Sequence, residues 1–251
     1  MQRYLVKQEQ INNNIIIMNE DDSYHIGKVM RMNVGDKVLC SAGDMTYECV
    51  ITDNNMKCVY LEIVNSYEEH TELPVHVVIA HGLVMKSKME EVVEKLSLLG
   101  CHEYLFFPME RSNVKMIDEK IDKKLYRLEK IAKEASEVAH RTKILESKFL
   151  KSWNEFIKYS SKFDHLLYAY EETNSKDGSF KNILKKVLPN ESILILIGPE
   201  GGISKKEVED LNKNNFIPIT LGPRILRTEV APSYCMAAIS YELEIEEGHE
   251  I

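Results

Sequence analysis

Ile193-Leu194-Ile195-Leu196-Ile197-Gly198-Pro199-Glu200-Gly201-Gly202 opens with an unbroken aliphatic run and stops at a Gly-Pro corner. A short apolar run bounded by turn residues predicts a strand buried on both faces, as in a parallel sheet. Ser204-Lys205-Lys206-Glu207 has the spacing of a capping box and predicts a helix to about Lys213. Phe216 to Leu221 is the next strand. It ends in a second corner, Leu221-Gly222-Pro223-Arg224-Ile225-Leu226-Arg227-Thr228-Glu229. Two corners one strand-helix unit apart can place two loops side by side at the ligand-binding edge of an open α/β sheet. They carry Glu200, Arg224, Arg227 and Glu229, where a connector needs only turn formers.

The alternation extends outward from these corners. Strands are expected at Val75–Ala80, Glu103–Phe107 and His165–Tyr170. Helices are expected at Lys86–Leu99, Asp118 to about Ala139, Trp153–Tyr159, Phe180–Leu188 and Ala231–Leu243. This order implies a parallel sheet with helices on both faces. Before Pro74 the pattern is different. Ile15-Ile16-Ile17, Met45–Ile51 and Val59–Val64 read as short strands and Val34–Cys40 as a turn followed by a strand, with Ala42-Gly43-Asp44 as a hairpin turn and His25–Met32 as one or two helical turns. A small barrel over 1–70, a linker over Asn65–Leu73 and an α/β domain over 74–251 are the expected organisation.

Composition narrows the classes. The chain has 251 residues and 44% hydrophobic content, enough for a packed core. No apolar run reaches the ~18 residues of a membrane helix, and the start lacks the apolar stretch of a signal peptide. A cytoplasmic protein with no membrane partner is expected. Five cysteines with no CxxC indicate neither a disulfide framework nor a zinc site, so no metal is expected. Cys101-His102 is a poor catalytic pair, because neighbours on a strand face opposite ways. The net charge of -8 argues against nucleic acid at first sight. However, residues 111–151 hold 12 basic and 7 acidic side chains, which allows a local basic surface; on charge alone, a solvated amphipathic helix is the preferred reading.

The first corner is neither GxGxxG nor a P-loop. Its glycines permit close approach to a ligand, and the N–H groups at the following helix start suit an anion. Arg224 and Arg227, two guanidiniums within four residues, suit a phosphate or carboxylate, or else form surface salt bridges. A phosphate-binding hydrolase is disfavoured, because no nucleophile-base pair or metal cluster accompanies the loop.

Together, IGPEGG-IS-x-x-E and LG-x-R-ILR-TE resemble the SPOUT-class methyltransferases, specifically the RsmE family of ribosomal RNA uridine-N3 methyltransferases. Met1-Gln2-Arg3-Tyr4, the His25–Met32 segment with Gly35-Asp36, Glu110-Arg111-Ser112-x-Val114-Lys115, and Glu134-Ala135 with Arg141 extend the likeness over nearly the whole chain. The resemblance implies a PUA-like β-barrel followed by a trefoil-knotted α/β domain. It also implies a homodimer with composite active sites, S-adenosylmethionine as cofactor, and small-subunit (16S) ribosomal RNA as substrate. Leu196, Gly198, Pro199, Glu200, Gly201, Gly202, Leu221, Gly222, Ile225, Leu226 and Arg227 would line the cofactor pocket, largely through backbone groups. Arg3, Arg31, Arg111, Arg141 and Arg224 would bind RNA. Arg227, Arg111 and Arg141 would bind RNA or stabilise a developing uracil anion, and Glu200 or Glu229 would accept its proton, directly or through water, unless Glu229 merely complements a helix N-terminus. Uridine access implies an unstacked base.

Four departures stand out. His81 precedes Gly82 where the family has Lys. Leu98 replaces a Glu, Val138-Ala139-His140 replaces a Gln-Ser stretch before Arg141, and Val230 replaces a Thr. They leave open a paralogue with a shifted RNA target, or a non-catalytic RNA-binding protein that retains the fold.

Overall fold

A computed structural model describes residues 1–55, 57–114, 118–173 and 179–244. Lys115, counted above in the Glu110–Lys115 motif, lies outside them. The chain divides into two compact units, Met1–Glu72 with Ser136–Ile144, and Leu73–Ala135 with Leu145–Ile251.

The first unit holds β1 (Arg3–Leu5), β2 (Ile11–Asn12), β3 (Ile15–Ile17), α1 (Glu20–Tyr24), β4 (Lys37–Ala42), β5 (Met45–Asn55) and β6 (Cys58–Glu68). Their order in the sheet is β1-β4-β5-β6-β3-β2, with β1 parallel to β4 and the other pairs antiparallel. The expected hairpin is present, with Ala42 opposite Met45. Tyr4, Ile16, Ile26, Val38, Cys40, Cys49, Ile51, Val59 and Leu61 fill the core. His25–Val29 forms a turn of π-helix, followed by Arg31 in the left-handed region at φ 54°.

The linker expected at Asn65–Leu73 is a strand in its first four residues, because β6 pairs with β5 as far as Glu68. Polar composition misled here. Beyond Glu62 β6 no longer has β3 alongside, so the end of the strand is half solvated. Ser136–Ile144 also belongs to this unit. Glu137 Oε1 accepts from Leu5 N–H at 2.9 Å, and Arg3 Nη1 donates to the His140 carbonyl at 3.2 Å.

The second unit holds β7 (His76–Gly82), α2 (Lys86–Leu98), β8 (Glu103–Phe107), most of α3 (Ile121–Val138), β9 (Glu146–Phe149), α4 (Trp153–Ser160), β10 (His165–Ala169), α5 (Phe180–Leu184), β11 (Ser192–Ile197), α6 (Lys205–Lys213), β12 (Ile217–Ile219) and α7 (Ala231–Leu243). All six strands are parallel, in the order β12-β10-β11-β7-β8-β9. On one face Val78, Ala80, Leu105, Phe107, Leu194 and Leu196 pack with Phe156 of α4 and Leu211 of α6. Alternation sends Val77, Ile79, His81, Ile193 and Ile195 to the other face. There α7 packs against both α2 and α5. β9 has no apolar pattern in its sequence, because it is an edge strand with one neighbour. Cys101 and His102 precede β8 rather than lying on it, and His102 Nδ1 accepts from Val77 N–H at 3.3 Å.

Candidate active site

The C-terminal ends of β7 and β11, adjacent in the sheet, deliver His81-Gly82 and Gly198 to one edge. The first corner is wedged there. A Cβ on Gly82 would sit 2.5 Å from Pro199 Cδ and 2.8 Å from Pro199 N. A Cβ on Gly201 would sit 2.7 Å from the carbonyl oxygen of Arg111. The close approach that these glycines permit is therefore made by the protein's own Pro199 and Arg111 backbone. Arg111 Nη1 also donates to the Gly201 carbonyl at 3.3 Å, and the rest of its side chain is exposed.

The helix start after this corner is less open to an anion than the sequence suggested. Ser204 Oγ accepts from Glu207 N–H at 3.3 Å and Glu207 Oε2 accepts from Ser204 N–H at 2.8 Å, completing the capping box. Ser204 Oγ in turn donates to Glu110 Oε2 at 2.6 Å, and Glu110 N–H donates to Glu207 Oε1 at 2.8 Å. Protein groups thus occupy part of this N-terminus. The same bonds tie the Glu110-Arg111-Ser112 segment to α6.

The second corner is far more open. Arg224, Arg227 and Gly222 are exposed, and Ile225 is 88% exposed. It joins the first corner at its end: Thr228 Oγ1 donates to the Gly198 carbonyl at 2.6 Å. Lys88, from the first turn of α2, adds a second link. Its ammonium lies 3.1 Å from Glu200 Oε1 and 3.2 Å from Glu229 Oε2, one carboxylate from each corner. Hydrogen bonding to Glu200, offset in part by desolvation, raises the Lys88 pKa. Burial pushes the Glu229 carboxyl up, but its own backbone amide, Lys88 and Arg227 together outweigh that and hold it below the ordinary range. Glu229 is therefore ionised at neutral pH and is a weak base.

His81 is the residue whose importance sequence reading missed, noted only as a departure. It is fully buried, with Nδ1 2.9 Å from Tyr104 OH and Nε2 2.7 Å from Thr228 Oγ1. Leu196 is fully buried in the apolar cluster, so only its backbone can face a ligand. Leu226 and Leu221 are partly exposed beside Ile225.

The remaining predicted arginines lie in the first unit. Arg31 is exposed. Arg3 is 3% exposed and grips Glu69 through two bonds, of 2.7 and 3.0 Å. Arg141, 2% exposed, donates to Glu72 at 2.6 Å, and Thr142 N–H and Lys143 N–H reach the same carboxylate at 3.1 Å. Both guanidiniums are buried and bonded to a carboxylate of the same unit. Among the described residues no group of three or more His, Cys, Asp or Glu could hold a metal, and no helix is long and apolar enough to cross a membrane.

Comparison with known proteins gives this geometry a family. Residues 71–240 match the RNA methyltransferase domain, and residues 19–64 match the RNA methyltransferase PUA domain. Ribosomal RNA small subunit methyltransferase E of Bacillus subtilis strain 168 is 37% identical over 260 aligned positions, covering 100% of both chains. A crystal structure described only as a hypothetical protein superposes with a TM-score of 0.88 at 35% identity, covering 97% of this chain and 99% of the other. A ribosomal RNA small subunit methyltransferase E from Neisseria gonorrhoeae, solved with S-adenosyl methionine bound, shares the fold at a TM-score of 0.80 and 20% identity, covering 96% and 97%. The chain belongs to the ribosomal RNA small subunit methyltransferase E family.

Proposed function

We propose that this chain transfers a methyl group from S-adenosylmethionine to N3 of a uridine in small-subunit ribosomal RNA. The observation that carries the reading is the junction of two Gly-Pro corners at the C-terminal edge of a parallel sheet, in a member of this family.

The residues present suit the cofactor. Ile225 and Leu226 offer apolar surface to an adenine. A Cβ at Gly222 would meet nothing within 4 Å, so the backbone there is approachable. Glu200 and Glu229 give the edge negative charge toward a sulfonium cation. When bound, S-adenosylmethionine supplies an electrophilic methyl carbon. The protein contributes position and charge. Arg227 and Arg111 are assigned to stabilise the uracil anion left when the N3 proton departs. Glu229 is assigned to the Lys88 ion pair rather than to proton abstraction, because a carboxyl held low is poorly matched to a weak acid. Arg31, Arg111 and Arg224 are kept as RNA contacts, and Arg3 and Arg141 are reassigned as anchors of the first unit.

A domain division near residue 70, a knot in the second domain, a cytoplasmic location and a homodimer are parts of the same proposal. Val230, Tyr234 and Tyr241, 41%, 43% and 70% exposed, support the dimer as apolar surface at and beside α7. Calorimetry with S-adenosylmethionine tests the reading first, and absence of binding sinks it. Mass mapping of ribosomal RNA from a deletion strain should then show one missing methyl group on a uridine. Binding without transfer would favour a non-catalytic RNA-binding role, and transfer to another site a shifted target.

A further inference from the structure

Tyr104, His81, Thr228 and Gly198 form a chain of hydrogen bonds that starts inside the sheet and ends in the first corner. The links measure 2.9, 2.7 and 2.6 Å. Their proton directions follow from the last link. A carbonyl cannot donate, so the Thr228 hydroxyl spends its single hydrogen on Gly198. Toward His81 it can only accept, and Nε2 must carry a hydrogen. Tyr104 OH then donates to Nδ1. A doubly protonated ring would turn its second N–H on Tyr104 and leave the phenol hydrogen seeking another acceptor in a fully buried setting. Burial lowers the imidazole pKa to about 3, against an upward pull from Glu229, with Lys88 adding to the lowering.

The other tie between the corners, through Lys88, is partly exposed and open to screening by salt. The His81 chain is buried and is not. Its neighbour Gly82 lets Pro199 pack directly on the strand end, so the first corner and the imidazole share one fixed support.

We propose that His81 is a positioning residue for methyl transfer: as the neutral imidazole with its hydrogen on Nε2, it aligns Thr228 so that the two corners keep the spacing that receives the methyl donor. This rests on the functional reading above. His81 acts through Thr228.

Two measurements on the full chain test it. Nitrogen-15 NMR of the His81 ring should show a protonated Nε2 and a bare Nδ1, unchanged from about pH 8 to about pH 5. The charged or titratable groups that face or act on the ring are Tyr104 from β8, Lys88 from α2 and Glu229 from the second corner. A hydrogen on Nδ1, or titration near the ordinary histidine value, overturns the proposal.

The second measurement is S-adenosylmethionine affinity in His81→Leu and His81→Gln. Glutamine keeps an N–H donor at the ε position, whereas leucine keeps volume alone. The Kd should rise about tenfold in His81→Leu and stay within about threefold of the parent in His81→Gln. Parent affinity in the leucine variant, or equal losses in both, overturns the proposal. If His81→Leu fails to fold, Thr228→Val takes its place. It too should lose about tenfold, and parent affinity there is equally fatal. Failure of the parent itself to bind S-adenosylmethionine sinks the functional reading. A parent that binds, with variants that match it, sinks only the role of His81.

Discussion

Between Gly198 and Gly202 the chain is pressed against Gly82, Arg111 and Ile203; between Gly222 and Arg227 it is largely exposed. Both corners are Gly-Pro turns after strands of the same parallel sheet, yet one is immobilised by steric contact and the other is held at its end by Thr228 and Glu229. An immobilised wall beside an exposed loop suits ligand capture, because one side is preorganised while the other leaves surface for a ligand to cover.

The largest effect should come from the exposed loop. Arg227→Ala should lower methyl transfer to undermethylated small subunits by about 10²–10³-fold, the usual cost of losing one charge-stabilising donor. S-adenosylmethionine binding measured in parallel should change far less. A variant with near-parent turnover would move the anion-stabilising role elsewhere, Arg111 first.

Steric contact predicts an asymmetry between the glycines. Gly201→Ala drives a methyl into the Arg111 carbonyl and should cost about 1–3 kcal/mol in urea unfolding. Gly222→Ala meets nothing, and its φ of +102° should cost on the order of 1 kcal/mol. The reverse order would show that the first corner can yield and is not a wall.

The opposite end of the same sheet gives a control away from the site. Burial raises the Glu103 carboxyl pKa, but His76, Tyr159 and Lys148 overcome that and hold it at about 2. A carboxyl depressed on folding contributes stability that is complete above its unfolded value near 4.5 and is lost as pH falls through about 2. Glu103→Gln should lower stability at neutral pH by about 1–2 kcal/mol and flatten its decline below pH 4.5. Acid unfolding indistinguishable from the parent would remove Glu103 from the account. Lys88→Met should have the smallest effect, below about 1 kcal/mol. Its signature is faster amide exchange around Thr228, which the parent should reproduce in part at high salt. Unchanged exchange would leave the His81 chain as the sole link between the corners.

Much of the second unit was legible because buried parallel strands announce themselves as aliphatic runs. Ser192–Ile197, Glu103–Phe107, the capping box at Ser204 and the span of α7 were all readable from local pattern. What escaped notice has partners remote in sequence. β9 and β1 are short strands made by their neighbours. Asn65–Glu68 looked like a linker because its solvated pairing needs polar side chains. Arg3 and Arg141 looked like RNA contacts because a motif records residue type and not the carboxylate that has already claimed it.

By itself the sequence determined the parallel α/β class, the two corners and the family likeness, since each rests on local periodicity or on a contiguous motif. Only the tertiary structure decided that His81, 147 residues from Thr228, completes the bridge between the corners, and that Lys88 pairs with both acidic ends. Hydrogen bonds and ion pairs act over a few ångströms in space, and separation along the chain carries no information about which side chains will come that close.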